Sequence, residues 1–417
     1  MKKIKLGDVL DVKRGASLSG DFYDTQGEYI RLTLGNFSYP NNGFKFNVSK
    51  DDIYFTGKVK DEFILKKGDI ITPLTEQVRG LLGNTATIPE SNKYIQSGDI
   101  GLVIPNEEIV EKRFCYYLVS SPIIKRQLDA GSQQTKIRHT SPENIKDCIA
   151  FIPELEQQQK IAMLLDTINK KIDINNAINN NLQQTAQSIY DYWFTQFEFP
   201  NSDNKPYKSS NGIFIFNDEL KKEIPNGWKV ARLADLCALY LGGTPDTTKQ
   251  EYWNGDISWL NSGEIAQFPV INSELKITDL GLKNSATKLM KPGTVVVSIT
   301  GNIRASILGF NSCANQSVVG IEENELLTKE YLYPFIYNQL KYFTSISTGN
   351  CQKHINKGTL ENLYILIPEN SVLNKYYDKI KPIYNQIISL AKENQELIFL
   401  RNFLLPILMN GQATIEE

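Results

Sequence analysis

Two acid-free stretches hold the side chains best suited to gripping a nucleic acid. Gln133, Gln134, Lys136, Arg138 and His139 fall in one, and Gln352, Lys353, His354 and Lys357 in the other; together they contain both histidines of the 417-residue chain. Lysine and arginine neutralise phosphates or read guanine, while glutamine can pair bidentately with an adenine edge. A solvated polar loop would explain either stretch alone. Their recurrence favours a binding surface. Arg79 in TPLTEQVRG and Arg304 in SITGNIRAS form a second candidate pair, each beside the same expected strand, with a structural ion pair as the competing explanation. Arg14 beside Gly15 and Thr244 beside Gly243 are weaker candidates, placed where glycine lets a backbone approach closely.

Catalytic signatures are absent. The chain has no GxxxxGK[ST] phosphate loop, HExxH, GxSxG or adenine-methylating Asn-Pro-Pro-Tyr-type motif. Asp256 with Glu274-Leu275-Lys276 is the best nuclease-like set and could hold magnesium, although such spacing is common by chance. Tyr252, Trp253 and Trp259 read as packing residues ahead of base-stacking platforms. The five cysteines are scattered, with no CxxC pair, which argues against a disulfide framework or a metal site.

These residues sit in a chain that repeats itself. Leu6, Asp8 and Gly15 match Leu233, Asp235 and Gly242 at a shift of 227 residues. Gly27 to Leu32 answers to Gly255 to Leu260, and Lys67-Gly68-Asp69-Ile70-Ile71 to Pro292-Gly293-Thr294-Val295-Val296. Each half closes alike, Gly131 to Pro153 paralleling Gly349 to Pro368, by which point the shift has drifted to 215. A repeat of this size reads as two homologous domains. Short β-rich runs precede helical stretches around Val110 to Leu128 and Lys329 to Phe343. The expected fold is therefore α+β, with a largely antiparallel sheet in each copy. The boundaries expected are a first domain at 1–150, a long helix at 151–197, an extended linker at 198–228, a second domain at 229–367 and a second long helix at 368–412.

The long helices carry apolar positions at alternating steps of four and three. In the first these are Ile161, Leu165, Ile168, Ile172, Asn175, Asn179, Leu182, Ala186, Ile189 and Trp193. The second runs Leu373, Tyr376, Ile380, Ile383, Ile387, Leu390, Asn394 and Leu397, with Asn410-Gly411 as its stop and Pro382 expected to kink it. Such seams pair as a coiled coil. A buried seam asparagine costs stability unless a partner amide meets it and fixes register; a partly solvated seam is the alternative.

Composition sets limits on the partner. Hydrophobic residues make up 41% and charged residues 22%, ordinary for a soluble globular protein. No apolar run approaches the ~20 residues that span a bilayer, and Met1-Lys2-Lys3-Ile4 leads straight into a domain, so a cytoplasmic location away from membrane is expected. Residues 1–150 carry 21 basic and 19 acidic side chains, and residues 229–367 carry 12 of each. Contact with nucleic acid must then come from local patches.

Taken in order, the first domain, LEQQQKIAMLLDTINKKI, the YWFTQFEFP…KPYKSSNG segment, IPNGW, the second domain and the second helix resemble the DNA-specificity subunit of Type I restriction-modification systems across essentially the whole chain. The resemblance implies two target-recognition domains, each reading one half of a split, asymmetric site in double-stranded DNA. It implies long helices in an antiparallel coiled coil that sets the half-site spacing. Two methyltransferase subunits would dock there, bind S-adenosylmethionine and methylate one adenine per half-site, with a restriction subunit as an optional further partner. This chain would bind no cofactor and perform no chemistry. NSVLNKYYDKIKPIYNQIISL departs from the pattern in lacking the glutamate-glutamine opening of LEQQQKIA. The competing readings are a coiled-coil adaptor without DNA binding, favoured by near-neutral domain charge, and a magnesium-dependent nuclease built on Asp256.

Overall fold

The computed structural model describes residues 1–39, 41–47, 51–77, 79–131, 138–348 and 353–416. The chain forms two compact units, one of Met1–Ile172 with Glu396–Glu417 and one of Asp173–Gln395.

In the first unit the run Ile70–Pro73 is buried along its whole length, as a β-branched strand with both faces covered should be. Side chains alternate across a strand, so Ile70 enters one core, with Val12, Val103 and Phe114, while Ile71 enters another, with Ile30, Leu32 and Leu65. The sheet runs Leu10–Arg14, Ile100–Pro105, Ile70–Pro73, Ala86–Thr87, antiparallel throughout. A smaller sheet orders Tyr23–Asp24, Tyr54–Phe55, Tyr29–Arg31 and Tyr94–Ile95, its last pair parallel. Lys2–Lys5 pairs with Ile149–Ile152 and ties the two ends of the domain together.

The second unit repeats this plan. Its main sheet is Leu239–Leu241, Val318–Ile321, Val295–Ser298, Arg304–Ile307, and Val295 and Val297 face one core while Val296 faces another. Trp253–Leu260 again has a parallel neighbour, Cys313–Ala314. The terminal pairing reproduces the sequence shifts: Lys2 lies opposite Ile152 and Lys229 opposite Ile367, so one strand has moved by 229 − 2 = 227 and its partner by 367 − 152 = 215. The duplication is thus of hydrogen-bond register, which insertions in loops leave intact.

Two glycine pairs carry the repeat. A Cβ on Gly15 would lie 2.4 Å from the Ser97 carbonyl oxygen, and one on Gly242 would lie 2.0 Å from that of Asn315. Gly68 and Gly293 both adopt left-handed backbone, at φ of +84° and +93°, leading into the equivalent buried strands. The backbone approaching Gly15 is therefore the domain's own, which removes the close-approach argument offered for Arg14. Gly243 likewise sits against the Thr287 and Ala286 backbone, so the argument for Thr244 goes too.

Several boundaries differ from the expected ones. The stretch from Val110 to Leu128 is two helices, Lys112–Val119 and Pro122–Gly131, because Pro122 cannot continue the first and instead opens the second. Residues 198–228 are a folded segment. The hairpin Phe214–Asn217 with Lys222–Pro225 sits within it, and Phe199, Ile224 and Trp228 join an aromatic core with Tyr190, Trp193 and Phe194. Turn-forming residues suggest a linker; apolar rings scattered between them give it a core.

The first long helix is Leu155–Tyr190, closed by a π turn at Asp191–Thr195, and the second is Asn370–Met409. The second runs unbroken through Pro382, whose ring is solvent-exposed. Gly411, at φ +75°, lies just past its end. In the second unit Asn175 bonds Asn394 and Asn179 bonds the Ile387 carbonyl, so one number falls as the other rises and the helices run antiparallel. In the first unit Ile161 and Leu165 share a core with Leu408 and Met409.

Candidate nucleic-acid interface

Both histidines occupy the same structural position. His139 pairs with Thr75 in the short ladder Arg138–His139 against Thr75–Glu76, and His354 bridges to Thr300. The neighbouring bonds repeat as well, the Thr140 amide donating to the Leu74 carbonyl at 2.8 Å and the Ile355 amide to that of Ile299 at 3.0 Å. A capped helical turn follows each: Ser141 receives the Asn144 amide, and Asn356 the Thr359 amide. Each domain therefore presents an exposed histidine on backbone paired to the equivalent strand end, and His354 is bridged on its other side by Thr348 as well. In the second copy Thr300 Oγ1 lies 3.1 Å from Nδ1 of the exposed His354.

One residue before each histidine the copies diverge. Arg138 is only 13% exposed, with its guanidinium 3.1 Å from Glu76 Oε1 and 2.5 Å from Asp129 Oδ1. Glu76, itself buried, accepts the amides of Gly80, Leu81 and Leu82 on its other oxygen. Arg79 closes the set at 2.8 Å from Asp129. The Arg79 and then the Arg138 hydrogen bonds hold the Asp129 carboxyl down to about 2. Arg138 is thus committed to positioning the 76–82 loop, which corrects its assignment as a free phosphate contact; Arg79, 79% exposed on its side chain, keeps an outward edge. Lys353, its counterpart in the second copy, is exposed and uses its backbone carbonyl to receive the Gly301 amide at 2.8 Å.

The other candidates resolve as follows. Arg14 is exposed at the end of its strand and donates to the Thr140 carbonyl at 3.4 Å, beside His139. Thr244 is exposed and bonds Gln316 at 2.5 Å. Lys357 pairs with Glu361 at 2.8 Å on one helical turn. Arg304 does not correspond to Arg79. Thr87 lies opposite Ile70 and Ile307 opposite Val295, so the counterpart of Arg304 is Asn84. The first-copy loop is longer, eleven positions from Thr75 to Ala86 against six from Thr300 to Ser306, which misaligned the arginines. Gln133, Gln134, Lys136 and Gln352 lie outside the described residues. Glu76 and Asp129 carry no signal in the sequence, since one ends a short strand and the other lies in a helix, neither of them the element that carries Arg138.

The helical seam is buried at Ile161, Leu165, Ile168, Ile172, Ile380 and Ile387, and half-buried at Leu182, Ile189 and Leu397. Asn175 Nδ2 donates to Asn394 Oδ1 at 2.9 Å and to Glu393 at 2.8 Å, while Asn394 Nδ2 donates to Asn176 at 2.8 Å. The Asn175 and Asn394 amide nitrogens meet acceptors across the seam, as a register-fixing pair would, while the Asn175 and Asn179 side-chain oxygens are buried with no hydrogen-bond partner among the described residues. Large apolar side chains also remain in solvent: Phe399 is 73% and Phe403 56% exposed, stacked with centroids 6.5 Å apart, and Met163 on the first helix is 57% exposed.

The nuclease arrangement does not assemble. Ile257 pairs with Ile277 and Trp259 with Leu275, which places Asp256 and Glu274 toward opposite ends of one strand pair. No cluster of metal-ligating side chains occurs among the described residues, and no described helix is long and apolar enough to cross a membrane. Trp259 is buried with its Nε1 donating to the Gly243 carbonyl at 2.9 Å, a packing role.

Residues 1–184 and 225–398 both match the model of the Type I restriction modification DNA specificity domain. The chain is 28% identical over 320 residues to the MjaIX specificity subunit of Methanocaldococcus jannaschii, covering 76% of this chain and 72% of that protein. It is 22% identical over 404 residues to the HindI specificity subunit of Haemophilus influenzae, covering 84% and 87%. The S subunit from M. genitalium superposes with a TM-score of 0.55 at 12% identity, covering 98% of this chain and 96% of that one, a likeness of fold.

Proposed function

Because the chain belongs to the Type I restriction-modification DNA-specificity family, whose members are the non-catalytic recognition subunits of those systems, we propose that its two domains read the two halves of one bipartite, asymmetric DNA site. The observation that carries this reading is the repeated histidine ladder. One fold presents the same backbone platform twice, with different side chains around it, so each copy has its own chemistry to offer a different half-site. Lysine and arginine in the flanking loops would bind phosphate and orient the duplex, while the adjacent polar side chains face base edges.

The chemistry belongs to partners. Two methyltransferase subunits carrying S-adenosylmethionine would dock on the long helices and modify one adenine in each half-site, in the cytoplasm, with a restriction subunit as a further component. Exposed Phe399, Phe403 and Met163 support docking, since stacked rings left in water on a helix mark a surface built to be covered. Nothing favours the adaptor reading beyond the near-neutral charge of the domains, which local patches accommodate.

Salt titration of DNA binding by the assembled complex tests the platform. Lys353→Ala should lower affinity and reduce the slope of log K against log salt by about 0.9, the contribution of one phosphate contact. An unchanged slope would remove Lys353 from the interface.

A further inference from the structure

The strand ends beside His354 hold a side-chain pair that the first domain lacks. Across this end of the second sheet the Ile355 amide donates to the Ile299 carbonyl at 3.0 Å, and the Ile299 amide to the Ser317 carbonyl at 2.8 Å. Gln316 therefore stands one residue from a carbonyl in the same run of bonds as the histidine bridge. It sits in a turn closed by the Val318 amide on the Asn315 carbonyl at 3.1 Å, and it is exposed. Thr244, exposed beyond the end of the neighbouring strand Leu239–Leu241, donates from its Oγ1 to Gln316 Oε1 at 2.5 Å.

The first domain makes the same turn without these side chains. Its Ile100 amide closes on the Ser97 carbonyl at 3.0 Å, and its Leu74 amide donates to the Asp99 carbonyl at 2.8 Å, as Ile299 does to Ser317. Bond for bond, Asn315 answers to Ser97 and Ser317 to Asp99, so the place of Gln316 is held by Gly98. Gly15 and Gly242 pack on those same carbonyls, of Ser97 and Asn315, and two residues beyond them Thr244 answers to Ser17. Glycine presents no side chain to a base. One position on a shared backbone is thus equipped in the second copy alone.

A primary amide offers an acceptor and a donor side by side, the pair that meets N6–H and N7 on the major-groove edge of adenine. An unrestrained glutamine would lose rotamer freedom on reaching a base. The threonine hydroxyl restrains it beforehand: by donating to one lone pair of Oε1 it orients the amide and leaves the second lone pair and both Nε2 hydrogens for the base. We infer that Gln316 reads the adenine of one A·T pair in the half-site taken by the second domain, with Thr244 as its positioning residue. The inference rests on the DNA-reading proposal and names a base within it.

Mapping of modified adenines by the assembled complex tests it, followed by binding to duplexes that carry each of the four base pairs at every position of the half-sites found. Gln316→Ala, a change on an exposed turn, should keep the melting midpoint and relax one A·T position of one half by roughly tenfold in relative affinity, leaving the other half unaltered. Gln316→Glu keeps an acceptor for the Thr244 hydroxyl and removes the amide donor, so the same position should shift toward cytosine. Thr244→Val should lower discrimination at that position alone. A wild-type complex that yields no split motif would overturn the DNA-reading proposal and this inference with it. A split motif that both Gln316 variants leave unchanged, or recognise with a loss equal for all four bases, would overturn the assignment of Gln316 alone.

Discussion

At the scale of single residues, position and job separate. Arg138 and Lys353 stand in equivalent places, yet one is spent on Glu76 and Asp129 and the other faces solvent. Removing Arg138 strands a buried carboxylate, so Arg138→Ala should destabilise the first unit by about 3 kcal/mol in urea unfolding, whereas Lys353→Ala should change stability by less than about 0.5 kcal/mol. Equal effects would show that the two positions do the same work. Asp129 adds a pH dependence of definite sign. Its carboxyl is held low, at about 2, against an unfolded value of ~3.9. Its stabilisation is therefore complete above the unfolded value and lost as pH falls from about 4 through about 2. Asp129→Asn should flatten that acid limb, and an unaltered limb would show the ion pairs to be immaterial. The histidines were legible in the sequence because both sat in recurring acid-free loops. The task of Arg138 was not, because its partners come from a different strand and helix, and an acid-free stretch says nothing about acids that fold onto it.

Among the elements, the seam was legible almost to the residue, since a three-four spacing survives whatever the helix packs against. Asn175 and Asn394 face each other on it. Asn175→Leu alone should cost about 1–3 kcal/mol by leaving a buried amide unmet, while the double change to leucine should recover most of that loss and relax register. A double-mutant cycle with no coupling would contradict the pairing. The turn formers of residues 198–228 read as a linker, but the aromatic rings between them build a core. Phe197, Phe199 and Trp228 pack with Tyr190 and Phe194, so Trp228→Ala should destabilise the second unit by about 3–5 kcal/mol. A true linker would tolerate it. Pro382 was expected to kink its helix, but surrounding packing at Ile380 and Tyr384, both buried, holds the helix continuous across it.

For the molecule as a whole, duplication is the fact from which function follows. It was visible as a drifting sequence shift, and the structure turns that shift into matched registers in strands and histidine bridges. The half-site sequences were never legible, because a side chain's type names the bases it can contact only once its distance and angle to the groove are fixed. The central claim, two readers for two half-sites, makes a direct demand. Co-expression with the partner methyltransferase subunit in a methylation-free host, followed by single-molecule mapping of modified adenines, should reveal a split motif with one modified adenine in each half. Exchanging His354 and its flanking loop for another member's should alter one half alone. A single uninterrupted motif, or no modification from a complex that purifies intact with bound cofactor, would contradict the account.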